Sequence, residues 1–131
     1  MIKVSKKSQY GLRAMVFLAK NYKSKKVLST KTISEKEGIP FDFFEKIISQ
    51  LERAKLVNGK RGVQGGYILS RSPKNISAND IVSVLEGNKK PVDCDFCGRK
   101  KGCLTKNVWA KVNFALNKTL ESITLAELIR K

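Results

Sequence analysis

The break at Gly38-Ile39-Pro40 constrains this chain more than any other feature. Proline pushes the residue before it out of the helical region and suits a helix start, while glycine supplies the left-handed residue at which helices commonly end. One helix must therefore stop and another begin almost at once. Downstream, Phe44, Ile47, Ile48 and Leu51 recur at i, i+3, i+4 and i+7, which predicts a helix from near Pro40–Asp42 to about Ala54 with a single buried stripe. Upstream, Ser29 or Thr30 can cap a short helix running through Glu37. Two short helices joined by a glycine-containing turn, the second with an exposed polar face, describe a helix-turn-helix.

What flanks the pair completes the pattern. A helix is expected from about Ser8 to Tyr22, its stripe formed by Tyr10, Ala14, Phe17 and Leu18, followed by the basic loop Lys23–Lys26. Beyond the second short helix, Leu56-Val57-Asn58 reads as a strand, and Tyr67-Ile68-Leu69 as its return. The glycine-rich stretch Gly59–Gly66 between them carries Lys60 and Arg61. A hairpin with a basic tip directly after a helix-turn-helix is a wing, and its glycines let the backbone turn sharply and approach a phosphate or a narrow minor groove. Ser77 and Asp80 have capping-box spacing ahead of Ile81, Val84 and Leu85, with Gly87 closing that helix.

Further on, Trp109, Val112, Leu116 and Ile123, joined by Val108, Ala115 and Leu120, make a stripe unusually broad for a peripheral helix of so small a domain. A partner helix is its natural cover, so Leu104 to about Thr119 is read as a dimerisation helix, with Trp109, Val112 and Leu116 at the contact. Leu125–Lys131 forms one last short helix. The expected fold is mainly α with a small β-hairpin wing, in three parts. Residues 1–87 make a winged helix-turn-helix domain, residues 88–103 a cysteine loop, and residues 104–131 the dimerisation helix and tail.

Charge narrows the function. The chain has 131 residues, with 27 Lys and Arg against 11 Asp and Glu, a formal charge of +16 and a pI near 10.0, the footprint of a polyanion binder. The apolar run Ala14–Ala19 is too short for a spanning helix, and Arg13 interrupts its approach, so neither a signal peptide nor membrane association is expected and the location should be cytoplasmic. Double-stranded DNA is then the expected partner. At the start of the second short helix, Asp42, Phe43, Glu45 and Lys46 are placed to reach major-groove edges. Glu45 can accept from cytosine and Lys46 can donate to guanine, while Phe43 either touches a thymine methyl or braces the helix. Arg61 on the wing is expected at the minor groove, and Lys6, Lys7, Lys31 and Lys60 at phosphates, where they add affinity without sequence information.

All three cysteines, Cys94, Cys97 and Cys103, fall in one ten-residue window of a chain with no histidine. Soft thiolates clustered in this way suit a metal or an iron-sulfur cluster, and zinc sites that need histidine are excluded by counting. A structural zinc prefers four strong protein ligands, so a labile cluster, two-iron or four-iron, is the better fit and zinc the competitor. Arg99, Lys100 and Lys101 would offset the negative charge of bound thiolates. The plain alternative is three reactive thiols in a solvated basic loop. An enzymatic thiol-redox role is not expected, because no βαβ pattern surrounds Cys94 and Cys97 and no histidine can act as a base.

Several fragments in collinear order carry a resemblance: Tyr10-Gly-Leu-Arg-Ala14, Phe43-Phe-Glu-Lys-Ile47, Gly65-Gly-Tyr-Ile-Leu69, Leu85-Glu-Gly87, the clustered cysteines, Cys103-Leu-Thr105 and Ile123-Thr-Leu-Ala-Glu-Leu128. Over nearly its whole length the chain resembles the Rrf2 family of bacterial winged-helix transcription regulators. The resemblance implies a homodimer built on the long C-terminal helix and sequence-specific binding to a DNA operator. In the cluster-binding branch it also implies an iron-sulfur cluster on three cysteines whose state alters DNA binding. Three departures bear on a fourth ligand. Cys94 and Cys97 are closer in sequence than in the cluster-binding relatives, Lys106 stands where some carry histidine, and Gln9 stands where others carry an acid. Asp93 and Asp95 are the nearest oxygen donors in sequence, with a small-molecule thiolate or the Ser5 or Ser8 hydroxyl of a partner chain as weaker choices. Two alternatives remain open: an apo regulator of the same fold controlled by a protein or small-molecule partner, and a non-sensing basic nucleic-acid-binding module.

Overall fold

The structure, a computed structural model, describes residues 4–87 and 104–130. The expectations for Cys94, Cys97 and Cys103 lie outside the described residues. The elements run α1 (Lys6–Lys20), α2 (Thr30–Glu37), α3 (Phe41–Arg53), β1 (Val57–Lys60), β2 (Gly66–Leu69), a short 3-10 turn at Pro73–Asn75, α4 (Ala78–Glu86), α5 (Lys106–Glu121) and α6 (Leu125–Ile129). The fold is mainly helical with one antiparallel hairpin, in which Val57 pairs with Leu69 and Lys60 with Gly66.

Local chemistry explains where the helices start and stop. Ser29 caps α2 by accepting from the Thr32 N–H, and Gly38 ends it in the left-handed conformation. Ser77 and Asp80 form the expected capping box of α4, and Gly87 closes it. Helix α3 ends differently. Lys55 takes the left-handed position at φ 63°, its N–H donating to the Glu52 carbonyl at 2.9 Å and the Leu56 N–H to the Leu51 carbonyl at 3.0 Å. That is a Schellman motif with lysine at the position that favours glycine.

The core forms where the stripes converge. Phe44, Ile47, Ile48 and Leu51 of α3 are buried against Ala14, Met15, Leu18 and Ala19 of α1, Ile33 of α2, Leu56, Val57 and Leu69 of the hairpin, and Ile81 and Leu85 of α4. The buried face of α1 differs from the expected stripe. It begins two residues earlier, and Ser8, Gly11, Ala14, Met15, Leu18 and Ala19 point inward, while Tyr10 and Phe17 pack only at the margin. Gly11 lies on that inward face, where a Cβ would meet the tip of the Leu85 side chain. Glycine there lets α1 and α4 approach closely.

Two connections were not expected from local pattern. Leu28 bridges Tyr67 through bonds of 3.0 and 2.8 Å, so the wing is fastened at its base to the segment before α2. The C-terminal segment also folds back onto the first domain. The Ala78 N–H donates to the Ile123 carbonyl at 2.7 Å and the Leu125 N–H to the Ile76 carbonyl at 3.0 Å, and Leu125 is fully buried in the core. Helix α6 thus packs on α1 and the 3-10 turn, and α5 lies between two segments anchored on the same body.

Candidate nucleic-acid interface

Burying one stripe of α3 leaves Asp42, Glu45, Lys46, Ser49 and Arg53 exposed on the other side. Lys7 of α1 joins Asp42, Glu45, Lys46, Ser49, Gln50 and Arg53 in lining an open groove. Ser49, Gln50 and Arg53 were not singled out from the sequence, although positions 42, 45/46, 49 and 53 repeat at helical spacing and so share a face. The groove mixes ammonium and guanidinium donors with carboxylate and amide acceptors, the functional groups that read base edges in a major groove. Asp42 also faces the positive end of the helix dipole in the first turn of α3.

Phe43 is placed differently from its neighbours. Its ring meets Tyr10 edge to face, with centroids 5.6 Å apart and planes at 83°, and it packs on the core. These contacts are those of a residue that braces the helix. Tyr10 is a hub: the Arg13 guanidinium lies 5.3 Å and the Lys6 ammonium 6.0 Å from its ring centroid. Arg13 in turn donates from Nη1 to the Glu37 carbonyl at 2.7 Å, a cation at the negative end of α2. The Tyr10-to-Ala14 motif therefore joins all three helices: Tyr10 to α3, Gly11 to α4 and Arg13 to α2.

Lys31, Lys60 and Arg61 are exposed on α2, at the end of β1 and at the wing tip, outside the groove. At the tip, the Gly65 N–H donates to the Gly62 carbonyl at 2.9 Å, closing a turn that leaves Val63 fully exposed. The wing base lies against the end of α3, where Gly59 has the Glu52 carboxylate and the Tyr67 ring as neighbours. Burial raises the Tyr67 pKa above its ordinary value, and the nearby Glu52 and Glu45 carboxylates raise it further.

Helix α5 buries none of its sixteen residues. Val108 is 52 %, Trp109 37 %, Phe114 63 % and Leu116 43 % exposed, and Val112 is half-buried. Phe114, absent from the expected stripe, is exposed on the opposite side of the helix, where the Lys118 ammonium lies 5.7 Å from its ring centroid. Among the described residues, no cluster of His, Cys, Asp or Glu could hold a metal ion. Ser5 and Ser8 spend their hydroxyls on Glu86 of the same chain, at 2.5 and 2.6 Å, and Lys106 is exposed at the start of α5. None of the described helices is long and apolar enough to cross a membrane.

Comparisons with known proteins agree with this architecture. Residues 4–131 match the family model Rrf2, described as "Iron-dependent Transcriptional regulator". The chain is 33% identical to the protein Rrf2 of Nitratidesulfovibrio vulgaris, over 98% of its own length and 88% of the relative's. Among solved structures it is similar to T. potens IscR, with 41% identity, a TM-score of 0.81 and coverage of 98% and 86% of the two chains. It is also similar to CymR, the global cysteine regulator of B. subtilis, with 34% identity, a TM-score of 0.82 and coverage of 98% and 96%. With a winged helix-turn-helix, an exposed recognition face and a match along nearly its whole length, the chain belongs to the Rrf2 family of DNA-binding transcription regulators.

Proposed function

We propose that this protein is a homodimeric, sequence-specific regulator that senses redox state, iron or nitric oxide through an iron-sulfur cluster held by Cys94, Cys97 and Cys103. The observation that carries the dimer is the unburied apolar face of α5, with Val108, Trp109, Val112 and Leu116 open to a partner. Exposure of this kind on one sustained helix face marks an interaction surface, and a two-fold pair of winged helices reads two half-sites. Support for the cluster comes from three thiols within ten residues, immediately ahead of α5, in a chain without histidine. The bound group would supply redox chemistry and a labile charge, and ligation change next to the dimer helix would alter how the two reading heads are spaced.

On the DNA, Asp42, Glu45 and Lys46 of α3 read the major groove, Arg61 enters the minor groove, and Lys6, Lys7, Lys31 and Lys60 grip phosphates. The second reading, an apo regulator controlled by a protein or small-molecule partner, draws on the likeness to CymR, whose fold superposes with a TM-score of 0.82 against 0.81 for IscR. Anaerobic purification, followed by visible absorption and by iron and acid-labile sulfide assays, separates the two. Iron and sulfide in near-equal amounts on the wild type, and neither on the triple Cys→Ser variant, support the cluster. Bare thiols on freshly isolated wild type would favour the apo reading.

A further inference from the structure

Helix α1 opens against its own electrostatics. Its first turn carries Lys6 and Lys7 and no acidic residue, although the positive end of the helix dipole favours anions there. The compensating carboxylate comes from the far end of the domain. Glu86, the last residue of α4, accepts at Oε1 from the Ser5 N–H at 3.2 Å, the Ser5 hydroxyl at 2.5 Å and the Ser8 hydroxyl at 2.6 Å. Ser5 is the N-cap of α1, its oxygen also accepting from the Ser8 N–H at 3.2 Å, and Ser8 is buried. One carboxylate oxygen thus gathers the cap and first turn of α1 across 81 positions of sequence.

Both ends of this junction face functional parts. Lys7, on the turn being held, lines the groove with Asp42, Glu45 and Lys46. Glu86 stands directly before Gly87 and the segment that leads to the cysteine window. We infer that Glu86 is a positioning residue for DNA binding: its carboxylate holds the first turn of α1 so that Lys6 and Lys7 meet the phosphate backbone. The inference rests on reading Lys6 and Lys7 as phosphate contacts, and the test separates the two claims.

The measurement is the affinity of the full chain for a duplex of mixed sequence as a function of salt concentration. Each phosphate contact contributes about 0.9 to the slope of log K against log salt. Replacing both Lys6 and Lys7 by Ala should lower the slope by about two contacts' worth, and Glu86→Ala should lower it similarly with both lysines in place. Adding Glu86→Ala to the double lysine variant should change the slope no further, and Glu86→Gln, which keeps an oxygen acceptor, should retain the wild-type slope. If Glu86→Ala fails to fold by circular dichroism, the Ser5→Ala, Ser8→Ala pair removes the donor hydroxyls instead and should give the same loss. A reduced slope for the lysine variant with a wild-type slope for the Glu86 or serine variants overturns the positioning role alone. An unchanged slope for the lysine variant overturns the phosphate reading and the inference with it. Slope losses that add between Glu86 and the lysines also overturn it, because independent effects add whereas effects through shared residues do not.

Discussion

At the scale of single residues, backbone conformation decides two positions in opposite directions. Gly66 has φ 155°, and a Cβ there would run into the Leu28 backbone that fastens the wing. Gly66→Ala should therefore destabilise the fold by about 1–3 kcal/mol, read as a lower denaturant midpoint. Lys55 is the reverse case, a lysine in the left-handed position that ends α3. Lys55→Gly should stabilise by about 0.5–1 kcal/mol, since relief of the left-handed penalty exceeds the entropic cost of glycine. Tyr67 ties stability to alkaline pH. Because burial and the neighbouring carboxylates raise its folded pKa, its share of stability is complete below the unfolded value of about 10 and is lost as pH rises through the folded value. Tyr67→Phe should remove that part of the alkaline loss in pH-dependent urea unfolding.

At the scale of elements, the helix-turn-helix was legible because Gly38, Pro40 and the Phe44–Leu51 stripe are local signals. The register of α1 was not, because its inward face takes in Gly11, which meets Leu85 in a contact between residues far apart in sequence. The base of the wing was hidden for the same reason: nothing local announces that Leu28 pairs with Tyr67. On α3, helical spacing already placed Ser49 and Arg53 on the face of Asp42 and Lys46, while their groove with Gln50 and Lys7 became visible only in the folded structure. The proposed division of labour between α3 and the wing has a direct check. Arg61→Ala should cost about 1–3 kcal/mol on a selected operator at fixed salt if the guanidinium touches base edges, and much less on mixed-sequence DNA. Equal losses on both would assign it to phosphate alone.

At the scale of the whole molecule, two exposed surfaces come from parts of the chain that one short stretch of sequence joins. In sequence, the exposed faces of α1, α3 and the wing precede residues 88–103, and the apolar helix α5 follows them. Leu116→Asp, placing a charge on that helix face, should shift the protein from dimer to monomer in sedimentation, since an unpaired buried charge costs about 3–5 kcal/mol. The central claim is that ligation at Cys94, Cys97 and Cys103 sets the affinity of the reading face. The direct measurement is the Kd for a DNA sequence selected from a random pool, at one salt concentration, for anaerobically isolated protein before and after removal of iron. A change of about 5–150-fold, the ordinary range of coupling between distant sites, together with a triple Cys→Ser variant fixed at the iron-free value, is the predicted result. Identical Kd values for isolated, iron-stripped and triple-variant protein would contradict it.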